Sequence, residues 1–441
     1  QVEHKKLDLD FSKESFDKFN PLHIQYLEND LKSLYEILQK FFNSEKVIDI
    51  KPKLTIASSA MAVFRTGLRA PVRKSPNYIQ NFCRNSYFGG RVEIFRHEGY
   101  NLKSYDFNSI YPYCMKTFPI PVEYIGEAKD YTDFGFHKVE IEIPDLYIPP
   151  IPVKFEGKLL FPTGTITGIY FSEELKLAVS QGCKIKKYYY GEKFSREFDF
   201  FREYIDHFYK VRLNNKGNAL DFIAKLFLNS LYGKFGQRES FDSLQTINFE
   251  KGVNGDIFGN EEIFNKFGLI ITQIKKRSPH MLVHIASAIT SYARMHLFSR
   301  GLHDSRNSIR YCDTDSLYCM DSFQSSKLLG DLKLEEEMID YGYFRLPKTY
   351  VLMINGELKF RAKGFPADFL KATTLQQFKE SDLFNKKIRV MGFKESIRKF
   401  NSSFNACEKQ KSIVSVYNKR KTLSDGINTR AWFLNKEGKL E

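Results

Sequence analysis

The sequence contains a single tryptophan, and its six cysteines (Cys83, Cys114, Cys183, Cys312, Cys319 and Cys407) form no CxxC pair and no cluster with histidine. That spacing excludes a zinc-finger frame and a disulfide scaffold, and fits reduced thiols in a reducing compartment. No apolar run reaches membrane-spanning length and no secretory leader is visible, so no membrane role is expected. Internal repeats and low-complexity tracts are also missing, which excludes solenoids and linker-type chains. Acid is the scarcer charge: 53 Asp plus Glu stand against 67 Lys plus Arg, a net +14 at pH 7. Such an excess favours a polyanionic partner, nucleic acid first. A lysine-rich coding background would produce the same figure, so charge alone does not decide. The chain opens on Gln1 rather than Met, and its true start is expected upstream.

What is present is enough for real cores. At 441 residues with 42% apolar content, two or three sub-domains are expected rather than one. Helical spacing marks residues 22–42, "LTIASSAMAVFRTGL", a segment from about Arg196 to Leu213, "GNALDFIAKLFLNSLYGKFG" and "HMLVHIASAITSYARMHLFSR". "NSYFGGRVEIF" turns on Gly89 and Gly90 into a strand, and residues 135–172 are β-rich. Residues 100–112 are expected as a strand halted at "SIYP" by Pro112.

Three stretches carry chemistry. In "YCDTDSLY", β-formers flank Asp313 and Asp315, so the stretch reads as a hairpin with carboxylates at its tip. By itself it is an ordinary solvated turn. Carboxylates held so close suit a hard divalent cation such as Mg²⁺, and a two-ion site needs a further carboxylate from elsewhere. Asp106 of "YDFNSIYP", at a strand end, supplies one. In "KLFLNSLYGKFG", Lys225, Asn229 and Tyr232 share a helix face, with Leu226, Phe227 and Leu231 opposite. Lysine, amide and aromatic on one face suit a nucleotide, although a capped amphipathic helix explains them equally in isolation.

Taken in order, "DFNSIYP", "KLFLNSLYGKFG" and "YCDTDS" resemble motifs A, B and C of the family B DNA polymerases, most closely the protein-primed branch of phages, linear plasmids and organellar elements. "YFGG" (Tyr87 to Gly90) is similar to the family's YxGG segment, "KTY" (Lys348 to Tyr350) to its K-x-Y motif, and "YLEND" (Tyr26, Asp30) to its third exonuclease motif. "AITSYAR", with Arg294, fits the helix before motif C.

The resemblance implies an α+β right-hand polymerase: an antiparallel palm sheet, helical fingers and a thumb, behind the remnant of an exonuclease domain. Its expected boundaries are 1–80 for that remnant, 81–127 for palm with motif A, and 196–237 for fingers. Palm with motif C then covers 281–365 and thumb 366–441. Segments 128–195 and 238–280 are expected as the branch's two insertions, or as ordinary surface elaborations. Asp106, Asp313 and, more weakly, Asp315 would bind two Mg²⁺ (or Mn²⁺) ions, with the Phe107 carbonyl as a further ligand. Ser109 and Ile110 amides and Lys225 would meet the triphosphate, with Arg212 or Lys216 as second cation. Tyr111 would exclude a ribose 2′-hydroxyl, and Asn229 and Tyr232 would line the nascent base pair. Tyr87, Gly89, Gly90, Arg294, Lys348 and Tyr350 would contact DNA.

The implied function is template-directed DNA synthesis from primer–template and deoxynucleoside triphosphates, in a monomer, with a terminal protein as primer. A mitochondrial location is expected from Phe, Asn and Lys richness, with phage, virus or cytoplasmic plasmid as alternatives. Only the third exonuclease motif has a counterpart, so proofreading is not expected. A degenerate remnant that grips nucleic acid is the competing reading. A metal nuclease would share the carboxylates but leave the Lys225 face unexplained.

Overall fold

The computed structural model describes residues 19–42, 53, 55–67, 72, 75–237, 240–246, 263–264, 269–275, 281–365, 367–380, 383–390, 406–413, 417–435 and 437–441. Packing divides the chain into two units, residues 1–71 with 203–231 and residues 72–202 with 232–441.

The first unit is helical where described. Helices Pro21–Phe42 and Ile56–Thr66 belong to it, the second capped by Thr55, whose hydroxyl oxygen accepts from the Ser58 N–H at 3.2 Å. Helix Arg202–Asn214 and the start of helix Ala219–Phe235 complete it. Phe64 meets Tyr204 edge-on at 5.8 Å, and the Tyr204 hydroxyl donates to the Phe227 carbonyl at 3.1 Å. The sequence divided these helices between two domains, at 1–80 and 196–237; here packing groups residues 1–71 with 203–231, while Leu22, Leu27, Leu31 and Tyr35 of the first helix stay exposed.

The second unit is built on a seven-stranded antiparallel sheet. Its order is Val92–Ile94, Tyr311–Asp313, Ser316–Cys319, Glu98–Phe107, Leu332–Leu346, Thr349–Ile354, Glu357–Ala362. Side chains alternate between faces along each strand. Ile94, Leu102, Tyr311, Tyr318, Phe344 and Leu352 form a core on one face, joined by Tyr417. Tyr105, Phe107 and Leu317 are buried on the other, where Phe107 packs 4.9 Å from the His296 ring of helix Val283–Leu297. A Cβ on Gly301 would lie 2.8 Å from Leu317, so glycine is what lets the chain after that helix close on the sheet.

A five-stranded sheet orders Phe433–Leu434, Thr163–Phe171, Gly135–Ile143, Lys184–Glu197 and Ile120–Glu127. Three strands of segment 128–195 are therefore woven into a sheet with strands from outside it. Arg196 lies near the end of strand Lys184–Glu197, paired with Pro121, rather than opening a helix. Its guanidinium lies 4.4 Å from the Phe134 ring centroid, and Phe194 is buried below. Segment 238–280 contains a small antiparallel sheet of Ser240–Thr246, Leu269–Lys275 and Ile263–Phe264.

Two further expectations need correction. Pro112 does not stop a strand: the strand ends at Phe107, Ser109 takes a left-handed φ of 53°, and Pro112 sits in the first turn of helix Ile110–Thr117. An imino nitrogen costs nothing there, because first-turn N–H groups have no helical acceptor. The expected thumb does not extend to the end of the chain. Helices Ala367–Lys371 and Leu375–Glu380 and the paired strands Leu383–Val390 and Ala406–Ile413 lie within it. From Tyr417 onward the chain returns to the two sheets: Arg420 is fully buried and donates to the Tyr147 carbonyl at 2.8 Å and to Thr429 at 2.9 Å.

Candidate active site

The hairpin expected at "YCDTDSLY" forms from strands Tyr311–Asp313 and Ser316–Cys319, with Thr314 and Asp315 at its tip. Thr314 adopts a φ of 64°, the left-handed conformation a tight tip requires. Register then assembles the site. Asp313 pairs with Ser316, and Ser316 pairs on its other side with Asp106. Directly paired residues project to the same face, so both carboxylates flank Ser316 on one side of the sheet, with Cα atoms about 10 Å apart at two strand spacings. Lys333, opposite Asp106 on the next strand, continues the row and ion-pairs with Glu335 at 2.7 Å.

Asp315 lies elsewhere in the tip. Its carbonyl accepts the Phe107 N–H at 2.7 Å, tying the two motifs together. Its carboxylate is close enough to help raise the phenols of Tyr111 and Tyr232, for which burial is the main cause; Tyr111 is pushed up to about 12. Those two rings stack at 4.4 Å. Tyr87 completes the aromatic group: burial first, then Tyr232, lifts its phenol to about 12. Its ring fits because position 236 is glycine, where a Cβ would lie 2.5 Å from Tyr87 Cε1.

The YxGG segment seats the hairpin tip. A Cβ on Gly90 would lie 2.7 Å from Thr314 Cγ2, and the Thr314 N–H donates to the Arg91 carbonyl at 2.7 Å. Arg294, expected at DNA, is a correction. Its guanidinium is 2% exposed, bonded to both Glu174 oxygens at 2.8 and 2.9 Å and to the Phe88 and Gly89 carbonyls at 3.0 and 3.1 Å. A charge so enclosed positions the glycine segment and has no face for a phosphate.

The Lys348 ammonium reaches Asp313, 2.5 and 2.7 Å from its two oxygens, and the Tyr311 hydroxyl donates to the same carboxylate at 3.1 Å. Tyr350 is half-buried, its hydroxyl 3.1 Å from that of Tyr318. The turn holding Ser109 and Ile110 is clamped by Asn108, whose amide donates to the Ser326 carbonyl at 2.8 Å. Sequence reasoning gave Asn108 no role, and read Tyr311 only as a strand residue and Gly236 only as a helix stop. All three stand inside quoted motifs, Asn108 in "DFNSIYP" and Gly236 at the end of "KLFLNSLYGKFG", but each meets a partner distant in sequence.

In the other unit, Lys225 and Asn229 are exposed while Phe227, Leu228 and Leu231 are buried; Leu226 is half-buried. Arg212 donates to Asp221 at 3.1 Å, and Asp221 is held below the usual carboxylate range chiefly by the Gly217 N–H. Lys216 is exposed. Tyr26 and Asp30 lie on helix Pro21–Phe42.

The family model for type B DNA polymerases, organellar and viral, matches residues 1–314. The chain belongs to that family. A Neurospora intermedia relative named "Probable DNA polymerase" is 32% identical over 385 residues, 79% of this chain and 39% of the relative. The Bacillus phage phi29 DNA polymerase is 25% identical over 346 residues, 71% of this chain and 56% of that protein. The solved phi29 polymerase with primer-template DNA and incoming nucleotides superposes with a TM-score of 0.72, at 20% identity, covering 93% of this chain and 75% of that one. This family member therefore has the right-hand family B fold, and spans about two fifths of the length of its Neurospora relative. Among the described residues no helix is long and apolar enough to cross a membrane.

The donor set is sparse. Among the described residues, no three carboxylate, imidazole or thiol groups gather as a metal cage. What the family member offers is a pair of carboxylates, Asp106 and Asp313, on one sheet face. A hard cation that keeps most of its waters, as Mg²⁺ does, suits so sparse an oxygen set.

Proposed function

We propose that this chain is the polymerase part of a DNA-directed DNA polymerase that extends a primer with deoxynucleotides by phosphoryl transfer. The observation that carries the reading is the Asp313–Ser316–Asp106 row, which sets two carboxylates on one face beside the turn leading to Tyr111. Asp106 and Asp313 would hold two Mg²⁺ ions, with Asp315 and the Phe107 carbonyl as lesser contributors. Bound there, the metal supplies charge neutralisation and activation of the primer hydroxyl.

The chain's own residues bind and orient. Ser109 and Ile110 amides, at a helix N-terminus, suit triphosphate oxygens. Lys225 offsets charge on the incoming triphosphate and on the pyrophosphate that leaves, with Arg212 or Lys216 as second cation, and Asn229 faces the nascent base pair. The stacked Tyr111 and Tyr232 wall the sugar pocket against a 2′-hydroxyl. Tyr87, Gly89 and Gly90 line the template path, and Lys348 and Tyr350 meet the primer end. On this reading the seven-stranded sheet is the palm, the helix with Lys225 belongs to the fingers, and segments 128–195 and 238–280 are the two insertions. Its phage relatives and their DNA-bound solved structures support primer–template DNA and nucleotides as partners, and the chain is read as acting as a monomer. A terminal protein as primer, a linear element as template and a mitochondrial setting complete the proposal, the last supported by fungal relatives and by composition.

Primer extension tests it. Asp106→Asn should abolish incorporation, and Lys225→Ala should lower it by about 10²–10³, the usual cost of one well-placed electrostatic group. Duplex binding by the Lys225→Ala variant should survive and fall steeply with salt. Absence of incorporation by the unaltered protein would favour a DNA-gripping remnant. Cleavage that ignores Lys225→Ala would favour a nuclease.

A further inference from the structure

Asp313 already carries a cation. Lys348 Nζ lies 2.5 and 2.7 Å from its two carboxylate oxygens, where a bound divalent ion would itself sit. The lysine is aimed by its backbone. Lys348 has a φ of 61°, uncommon for a residue with a side chain, in the turn between strands Leu332–Leu346 and Thr349–Ile354. Its N–H donates to the Tyr311 hydroxyl at 2.9 Å, and that hydroxyl donates to Asp313 at 3.1 Å. Main chain and ammonium of one residue thus converge on one carboxylate. Lys419, whose ammonium also feels the charge of Asp313, is engaged elsewhere: it donates to the Val92 carbonyl at 3.0 Å.

We propose that Lys348 is the resident counter-ion of Asp313, occupying the carboxylate when no metal is bound and displaced from it when a divalent cation enters. This rests on Asp106 and Asp313 being the metal-binding pair. The asymmetry in exposure makes the exchange workable. The Asp313 side chain is only 15% exposed and would be costly to leave unpaired, whereas the Lys348 side chain is 46% exposed and can swing into solvent with its turn intact. Metal binding is then a competition. Apparent affinity is reduced by the fraction of time the lysine holds the site, and each binding event releases an ammonium beside the carboxylates.

The test measures Mn²⁺ binding to the whole chain, without DNA or nucleotide, by electron paramagnetic resonance. Lys348→Gln should tighten binding about tenfold, the effect of removing a competitor that fills the site about nine-tenths of the time. Lys348→Arg should stay near the unaltered protein. Lys333→Gln, which removes a cation beside Asp106 without vacating Asp313, should leave affinity unchanged. Acylation of Lys348 in the unaltered protein, read by mass spectrometry, should quicken when Mn²⁺ is added, a measurement that needs no variant to fold. Equal affinities in folded proteins, or an acylation rate indifferent to Mn²⁺, would overturn the counter-ion role alone. Failure of every protein to bind Mn²⁺ would overturn the metal-pair reading and this inference with it.

Discussion

Arg294→Met removes a cation from the interior while leaving its partner behind. Arg294 and Glu174 side chains are 2% and 1% exposed. After the change, Glu174 retains the Ser291 hydroxyl at 3.1 Å, and the Phe88 and Gly89 carbonyls lose their shared donor. Breaking a buried pair from one side costs about 3–5 kcal/mol, because the remaining charge is stranded. Against a total stability of about 5–15 kcal/mol, that is a large share. Urea denaturation followed by circular dichroism should show it. Adding Glu174→Gln should recover part of the loss, since no stranded carboxylate remains, with a coupling of about 1–3 kcal/mol. DNA affinity of the double variant should keep its salt dependence, because Arg294 acts through the glycine segment. A loss below about 1 kcal/mol for Arg294→Met, the range of ordinary surface changes, would refute the account. Unaltered stability with lost DNA affinity would return Arg294 to the DNA interface.

Three further outcomes are expected. Gly90→Ala drives a Cβ to within 2.7 Å of Thr314 and should cost about 1–3 kcal/mol, as overpacking does, while slowing incorporation. Tyr111→Val opens the wall stacked on Tyr232 and should raise ribonucleotide relative to deoxyribonucleotide incorporation in a competition assay; an unchanged ratio removes Tyr111 from that role. His137 and His284 are buried, and burial lowers them to about 4 and about 3. The unfolded chain binds their protons first, so stability should be flat above about pH 6.5 and fall below it, by up to about 1.4 kcal/mol per pH unit for each group. Substituting either histidine with an apolar residue should flatten the acid limb in proportion, and an unaltered limb would exclude that residue as its source.

The sequence by itself determined the local elements of the site and their order. Asp313 and Asp315 sit between β-formers, and only a hairpin accommodates that pattern. Lys225, Asn229 and Tyr232 share a face because helical spacing leaves no alternative. Where local signals conflicted the reading failed: Pro112 suits a strand end and a first helical turn equally, and only the left-handed Ser109 before it decides. What the tertiary structure decided is everything set by pairing across distant segments. A slip of one residue would turn Asp106 to the opposite face from Asp313, and the register that prevents it is set by both buried faces of the sheet. The depth at which Arg294 lies, the meeting of Tyr87 with Gly236, and the reach of Lys348 to Asp313 depend on the same long-range packing. No local spacing encodes them, because each partner is fixed by a core to which residues from across the chain contribute.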